Sequence, residues 1–524
     1  MSIFNYKKIT TDHTYIILIV FFAFFINWTY SKYGVFPLDT FLHYDSAYRI
    51  LNGEHPIKDY WIVSGIFVDY LQALFFKIFG INWYSYILHS SIFNVILSIL
   101  TFQFFISINL KKKFAFLYSL SFATLAYPIS GTPFVDLHAT FFCVIATYFS
   151  FLAIKKPENY LNWFLIVSFY FFAFLSKQVP TAYILVSNIV VIFFYLFIYK
   201  KLKILNIIFL SLLFYISVFF LLLKVLNLDF NSFYIQYIDY PRSIGTDRLF
   251  TFNTSLKSFL NDFKFILIPV FFLIIFKIKK AIRKKKLFFS IESINFLIFL
   301  NLCVSLILHQ LLTKNQIYIY FLIPLAFAML QKEIEDLKYK KKNNLVYLII
   351  FLVVFLTIKY HIRYNEDREF HELSKKNISE YTKSENLDES LKGIYWISAH
   401  YKGSPKNEIE MLKKVKSKLN NKKNIMLISH YLFLDSITST SLNYPSRTNT
   451  TDGTSVPMSG NKYFNYYKKF LYKKLRDNNI SEVYIIKGEE IESKIFTGFL
   501  FKKCYQKLEE DMFIIFKLKK TCFN

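Results

Sequence analysis

The sequence is poor in the motifs that mark metal and nucleotide sites. It has no Cys-x-x-Cys pair, no His-Glu-x-x-His and no P-loop, and only four cysteines among 524 residues. Cys143 and Cys303 lie inside apolar stretches, where we expect plain packing residues. Cys504 and Cys522 lie near the last apolar burst, and an oxidising compartment would allow a disulfide there, although spacing alone does not set its geometry. No cofactor is therefore predicted with certainty, and no motif requires a divalent metal.

The first apolar run also lacks a small-residue cleavage site. Residues 15–28 are almost entirely apolar and follow Lys7 and Lys8. A run of this kind is expected to remain as a membrane anchor rather than be removed as a signal peptide. The basic residues before it predict that the chain starts in the cytoplasm and emerges outside.

Acidic residues are scarce: the chain has 63 Lys and Arg against 36 Asp and Glu, a formal charge of +27. A nucleic-acid-binding protein would gather such charge on one soluble face. Here the basic clusters recur between apolar runs, after every second span, as the positive-inside rule requires. They lie at residues 111–113, 155–156, 200–203, 277–286 and 338–342. The pattern favours a membrane protein with no nucleic-acid partner.

Hydrophobic residues make up 54% of the chain, with 63 Phe, more apolar surface than a soluble protein of this size can bury. We predict an α-helical polytopic protein with about 11 transmembrane helices, each near the ~20 residues that a bilayer needs. Residues 62–80 are interrupted by polar side chains and are expected to form an interfacial helix. The predicted spans lie near 13–30, 83–108, 114–128, 136–154, 161–176, 181–199, 205–226, 262–278, 291–310, 316–331 and 344–360.

The chain changes character after about residue 360, so we predict a membrane domain over 1–360 and an outer domain over 361–524. The second part is rich in Lys, Glu, Asn and Ser, with short apolar bursts. Four predicted strands alternate with two helices, which indicates a small α/β domain with a largely parallel sheet. The irregular segment 436–460 is either a functional loop or partly mobile. The strands are predicted at 392–398, 424–429, 482–487 and 511–518, and the helices at 406–419 and 462–476.

The first outer loop, residues 31–82, is the richest in acids. It carries Asp39, Asp45, Glu54, Asp59 and Asp69. Acids at a membrane surface are candidates for proton transfer or cation binding, and the alternative is a solvated loop with ordinary acids.

The loop resembles the first external loop of the GT-C superfamily of membrane glycosyltransferases, whose members include protein mannosyltransferases, aminoarabinose transferases and Rgt-like enzymes. The resemblance covers roughly residues 10–360. Some relatives have paired acids at the first position, whereas Ser46 follows Asp45 here, so the second acid stays open. The segments that carry the resemblance are Tyr44-Asp45-Ser-Ala-Tyr48-Arg49, Val135-Asp136-Leu-His138, Phe174-Leu-Ser-Lys177-Gln178 and Gln316-Ile-Tyr318-Ile-Tyr320-Phe-Leu-Ile-Pro324.

The resemblance implies sugar transfer from a polyprenyl-phosphate donor to a lipid, glycan or protein acceptor at the outer face of the cytoplasmic membrane. Asp45 would be the general base and Asp136 a second acid. Lys177, Arg242 and Arg248 would stabilise the departing phosphate. The remaining candidate donor contacts are Gln178, Asp59, His138, Tyr318 and Tyr320.

Each of these residues also has a structural explanation. Lys177 would then reach the lipid headgroups, Arg242 and Arg248 would belong to an ordinary charged loop, and His138 would be a helix-end residue. The tyrosines would lie in an aromatic belt.

Two other function classes compete with the transferase. A transporter or flippase would favour ionisable residues buried within spans, and internal repeats. A polymerase or ligase of surface polysaccharide would place its long catalytic loop later in the chain. The expected location is the inner membrane, with a cytoplasmic N-terminus and a periplasmic C-terminal domain.

Overall fold

The computed structural model describes residues 9–126, 131–284, 290–313, 319–336, 342–374, 378–487, 489 and 491–523. The chain divides into two compact units. The first contains Met1–Ser31, Ile87–Phe220 and Thr251–Phe370, and the second contains Lys32–Tyr86, Leu221–Phe250 and His371–Asn524. The predicted domains followed chain order, whereas each compact unit is assembled from three separate segments. The first outer loop belongs to the same unit as the C-terminal residues.

The protein is a helical membrane protein. Seven described helices are long and apolar enough to cross a bilayer, since each has at least 18 residues and a span needs roughly 17–25. Three further apolar runs form shorter helices, at Lys112–Ala126, Tyr160–Ser176 and Leu322–Glu335. A fourth run forms the helix Leu256–Lys284, which is interrupted by charged residues. The seven are His13–Tyr30, Trp83–Ser107, Val135–Lys155, Gln178–Ile198, Lys203–Val225, Ile291–Thr313 and Lys342–His371.

The helix Val135–Lys155 is the core element of the first unit. It is buried along almost its whole length, and it contacts Tyr160–Ser176, Gln178–Ile198 and Ile291–Thr313. A helix that is apolar on every side is stable only when it is surrounded. Asp136 and His138, near its start, are therefore buried.

The second unit contains two small sheets. The four-stranded sheet has the order β4-β5-β7-β6 and the three-stranded sheet the order β1-β3-β2. The seven strands are β1 Tyr33–Val35, β2 Thr382–Lys383, β3 Tyr395–Ser398, β4 Ile425–Ile428, β5 Glu482–Ile486, β6 Tyr505–Glu509 and β7 Phe513–Leu518.

The prediction of a largely parallel sheet is wrong. Only β4 and β5 pair in parallel, with Ile425 opposite Glu482, while β7 runs antiparallel to both β5 and β6. Strands β6 and β7 are joined by a turn too short for a crossover, so they must pair as a hairpin. Strand β3 was expected in this sheet, but it pairs with β1 of the first outer loop and with β2.

Two helices of the second unit lie where they were predicted, at Pro405–Leu419 and Phe464–Asp477. The first contacts β2 and β3, and the second shares a buried core with strands β4, β5 and β7. Trp61 of the first outer loop is fully buried in the same apolar core as Tyr467 and Phe516. A disulfide joins Cys504 to Cys522, which gives the pairing that the spacing left open.

The stretch 62–80, predicted to be an interfacial helix, contains the helix Ile66–Phe79. The exposure of its side chains is the opposite of that in a soluble protein. Asp69 is fully buried, whereas Leu74, Ile78 and Phe79 are at least half exposed. Exposed apolar side chains on one helix face are typical of a segment that meets lipid.

Candidate functional site

Asp45 lies on the helix Leu42–Leu51 of the second unit, in its first turn. Its side chain is fully buried, and neither carboxylate oxygen accepts a hydrogen bond from the described residues. The nearest cation is Arg49, one helical turn along, whose Nη1 lies 3.7 Å from Asp45 Oδ2 and is itself without a hydrogen-bond partner there. Buried carboxylates normally accept several hydrogen bonds, and Asp45 departs from that pattern.

Arg49 is fixed on its other side. Its Nε and Nη2 donate to Glu54 Oε2 at 3.0 and 2.6 Å, and Nη2 also donates to the Tyr444 carbonyl at 3.0 Å. Its guanidinium lies 3.8 Å from the centre of the Tyr60 ring. A planar guanidinium held at several points keeps one orientation, which leaves Nη1 directed towards Asp45.

Glu54 links two buried cations. Besides Arg49, Lys474 Nζ lies 3.5 Å from Glu54 Oε2, and it donates to the Asp59 carbonyl at 2.6 Å. Burial acts to raise the pKa of Glu54, but Arg49 and Lys474 outweigh it and bring the pKa to about 2. Burial lowers the pKa of Lys474 to about 8, so the ammonium is mostly charged at neutral pH.

The pKa of Asp45 is shifted the other way. Burial raises it well above its usual range, Arg49 opposes the rise, and Asp435, Glu54 and Asp69 add to it. A raised pKa makes the ionised carboxylate a stronger base.

Beside this helix lies a second buried group, formed by Arg447, Asp69 and His43. His43 Nδ1 is 2.6 Å from Asp69 Oδ1, and Asp69 Oδ2 accepts from Arg447 Nη2. Arg447 also donates to the Ser46 hydroxyl at 3.2 Å and to the Ser64 carbonyl. Burial lowers the pKa of His43, so the ring is neutral and donates Nδ1–H to Asp69. Arg447 thus fixes the helix at the residue next to Asp45.

Asp136 is the centre of a separate cluster in the first unit. It opens the helix Val135–Lys155, and both its oxygens accept from Lys177 Nζ at 2.6 Å. His309 Nε2 lies 2.8 Å from Asp136 Oδ1. Four helices are joined in this way: Asp136 is on Val135–Lys155, Lys177 lies between Tyr160–Ser176 and Gln178–Ile198, and His309 is on Ile291–Thr313.

His138 is one of a pair of buried histidines. Its Nδ1 lies 3.0 Å from the Phe134 carbonyl and its Nε2 lies 3.1 Å from His89 Nε2. The carbonyl requires a proton on Nδ1, so in a neutral His138 the bridging proton belongs to His89. The rings meet at 65° with their centres 5.0 Å apart. This geometry matches the structural explanation for His138.

Of the other predicted residues, Asp59 accepts the His55 backbone N–H at 2.7 Å, which is a turn contact. Arg242 is exposed on the helix Tyr240–Phe250, and Arg248 on the same helix is half-buried. The positive charge of Arg248 acts on Asp452. Both arginines belong to the second unit.

Gln178 begins the helix Gln178–Ile198 next to Lys177. Tyr320 is buried and stacks on Tyr360 with ring centres 3.7 Å apart. Tyr318 lies outside the described residues. The contacts therefore bring Asp136 and Lys177 together, while Asp45, Asp59, Arg242 and Arg248 belong to the other unit.

Sequence reasoning missed the residues that surround the two acids. His309 follows an apolar run with no recognisable motif, and Arg447 lies 401 residues from the serine that it contacts. Asp435 and Lys474 are equally remote from Asp45 in the chain. Of these residues, only His43 could have been suspected from the sequence, because it lies two residues before Asp45.

No group of three or more His, Cys, Asp or Glu side chains is placed to hold a metal ion within the described ranges. No family model matches the chain, and no curated protein matches it. The function must therefore be argued from the two clusters themselves.

Proposed function

We propose that the protein is a GT-C-type glycosyltransferase that transfers a sugar from a polyprenyl-phosphate donor to an acceptor hydroxyl at the outer membrane face. The observation that carries the proposal is Asp45: a fully buried carboxyl with no hydrogen-bond donor among the described residues. It lies in the loop whose sequence resembles the catalytic loop of that superfamily.

The chemistry suits such a carboxyl. A hydroxyl is a poor nucleophile at neutral pH, and a carboxylate within hydrogen-bond reach removes its proton as attack begins. The acceptor oxygen bonds to the anomeric carbon, the bond from that carbon to the phosphate oxygen breaks, and polyprenyl phosphate leaves with the electron pair, which inverts the configuration. Because Asp45 is shielded from water, the acceptor must displace the side chains that cover it.

The leaving phosphate gains negative charge, which cations stabilise. Lys177 already binds Asp136 through both oxygens, so it is the weaker candidate for this role. Arg242 is exposed and Arg248 half-buried on one helix, and we propose that they contact the donor phosphate.

The same proposal includes the topology. Eleven spans with a cytoplasmic start would place both the Asp45 loop and the C-terminal residues outside the inner membrane. Reporter fusions after Lys58 and after Asn524 should both give an external location. A cytoplasmic C-terminus with an external first loop would mean that the number of spans is wrong by one.

Replacement of Asp45 by Asn tests the base. The variant keeps the size of the side chain but cannot accept a proton as a carboxylate does, so transfer should fall by about 10²–10⁴-fold. The assay measures sugar transfer from a polyprenyl-phosphate donor in membranes matched for protein level. Asp39→Asn and Asp59→Asn serve as controls and should be milder, since Asp59 only closes a turn. Full activity in Asp45→Asn would contradict the mechanism.

Transport is a second candidate, because one observation favours it. Asp136, Lys177 and His309 form a buried ionisable cluster on helices that can cross a membrane, and such clusters mark ion and substrate pathways. A transporter would lose its function in Asp136→Asn and keep it in Asp45→Asn, which is the reverse of the transferase pattern.

A further inference from the structure

The buried charges around Asp45 do not balance. Arg49 lies 3.7 Å from Asp45 and 2.6 Å from Glu54, and Lys474 lies 3.5 Å from Glu54. Asp435 is buried on the helix Leu434–Ile437, which contacts the helix of Asp45. The group therefore has three carboxyls and two cations. Asp69 is excluded from the sum, since it is paired with Arg447, and so is Asp59, which acts on Lys474 but is partly exposed and accepts the His55 backbone N–H. With every group ionised, one negative charge remains in excess. An uncompensated charge in a buried site is costly, and uptake of one proton removes the cost.

Glu54 is not the group that takes the proton. It contacts both cations, Arg49 at 2.6 Å and Lys474 at 3.5 Å. Two cations on one carboxylate keep it ionised, which agrees with its lowered pKa. The proton must then reside on Asp45 or Asp435.

The short helix that carries Asp435, and the segment that follows it, connect this residue to the Asp45 site. Asp435 lies on the short helix Leu434–Ile437, which contacts the helix Leu42–Leu51. Its Oδ1 accepts the Leu442 backbone N–H at 2.7 Å, and Tyr444, two residues further on, accepts from Arg49. Asp435 and the carbonyl that accepts from Arg49 therefore belong to one short segment, residues 435–444.

The groups that act most strongly on the two carboxyls can be assigned a charge. The tyrosines stay neutral, because burial raises the pKa of both Tyr48 and Tyr444. The charges that act on Asp45 and Asp435 come from Arg49, Glu54, Asp69 and Lys474. Burial raises the pKa of Asp45 and of Asp435 alike.

We propose that Asp435 is the second acid of the Asp45 site and that the two carboxyls hold a single proton between them in the resting protein. The inference deepens the proposed function and rests on it for its catalytic meaning. The ionised member of the pair takes the proton as the acceptor O–H bond breaks, and the doubly protonated pair releases one proton to water after the glycoside leaves.

The charge balance gives opposite signs for two substitutions. Asp435→Asn leaves two carboxylates with two cations, so Asp45 should ionise at lower pH. Lys474→Met leaves three carboxyls with one cation, so the proton should be retained to higher pH. A neighbouring charge commonly moves a carboxyl pKa by about 1–3 units, so each midpoint should move by about one pH unit or more.

Infrared titration of the purified full chain measures this without any substrate. The carbonyl stretching band of the protonated Asp45 carboxyl is isolated by subtracting the spectrum of the same protein carrying Asp45→Asn. Its midpoint should fall in Asp435→Asn, rise in Lys474→Met, and stay in place in Asp435→Glu. Glu410→Gln, on an exposed helix face where Glu410 pairs with Lys413, is the matched control and should not move it.

An unchanged or raised midpoint in Asp435→Asn, or an equal shift in Glu410→Gln, would overturn the carboxyl pair. The acid limb of the transfer pH profile should move with the infrared midpoint. If the midpoints shift as expected and the wild-type protein transfers no sugar, the pair stands and the proposed function fails. Transfer with unmoved midpoints would remove the pair and leave the function.

Discussion

Asp45 and Asp136, two of the buried acids of this protein, are held in opposite ways. Asp45 has no hydrogen bond from the described residues and a single cation at 3.7 Å. Asp136 accepts from Lys177 through both oxygens and contacts His309 as well. Both are excluded from water, so burial does not separate them. The difference lies in how many of their lone pairs are already used.

That difference decides what each acid can do. A carboxylate whose oxygens are occupied by a lysine and a histidine is a structural ion pair, and removing one partner leaves an uncompensated charge. A carboxylate with free acceptor positions can bind a hydroxyl. We therefore expect Asp136 to matter chiefly for folding and Asp45 chiefly for chemistry.

The largest difference that we expect between Asp136 and Asp45 concerns the stability of the fold. Asp136→Leu should lower the free energy of unfolding by about 3–5 kcal/mol, because it strands Lys177 among packed helices. Asp45→Asn, which loses no hydrogen bond, should change it by less than about 1 kcal/mol. Unfolding in detergent, followed by helical circular dichroism, measures both. Equal losses in the two variants would erase the distinction between the acids.

A double substitution tests the ion pair directly. Lys177→Met alone leaves Asp136 with only His309 and should destabilise the protein by about 3 kcal/mol. Adding Asp136→Leu should recover part of this loss, since replacing a buried pair by apolar residues is often nearly neutral. Transfer per folded molecule should stay near wild type in the double variant. A tenfold fall with unchanged stability would instead assign Lys177 to the donor phosphate.

Arg447 supplies a test within the second unit. Arg447→Lys keeps the charge but cannot reach Asp69, Ser46 and the Ser64 carbonyl together, so about 2 kcal/mol of stability should be lost. Ser46→Ala removes only the contact next to Asp45 and should cost about 1 kcal/mol. Thermal unfolding of the two variants ranks them, and a larger loss in Ser46→Ala would contradict this account of Arg447.

A further acid, the half-buried Glu489, gives the smallest effect. Glu489 accepts from the Ser429 hydroxyl at 2.6 Å and the His430 backbone N–H at 2.5 Å, which are neutral donors. Burial raises its pKa from 4.5 to about 8. The folded state therefore binds a proton that the unfolded state releases, so this stability is full below pH 4.5 and is lost as pH rises to about 8.

Glu489→Gln should remove that pH dependence. The wild type should lose thermal stability relative to the variant between pH 5 and 8.5, with the difference measured as unfolding midpoints in the same detergent. A wild type that gains stability relative to the variant over this range would show that Glu489 is ionised in the fold.

The sequence predicted most where a single local property decides the structure. Long apolar runs gave helices close to their expected places, for example 83–108 against Trp83–Ser107 and 136–154 against Val135–Lys155. The helical membrane class is confirmed. Strand β5 was also placed to within a residue, because a short apolar burst between polar segments has few alternatives.

What the sequence did not predict depends on contacts between remote residues. The segment 436–460 carries no regular pattern, yet Tyr444, Arg447 and Asn449 are buried within it. Tyr444 and Arg447 bind partners nearly 400 residues earlier, Arg49 and Ser46, while Asn449 donates to the Ser429 carbonyl. The mixed sheet was missed for a similar reason, since apolar bursts reveal strands but not their direction.

The distance along the chain between Ser46 and Arg447 has a consequence for biosynthesis. At about 5–20 residues per second, the ribosome needs roughly 20–80 s to make the 401 residues that separate them. Throughout that interval the helix of Asp45 exists without the segment that shields it. The charged cluster is therefore assembled last, after the intervening spans have been synthesised, and the early loop needs protection from proteases and from premature pairing while it waits.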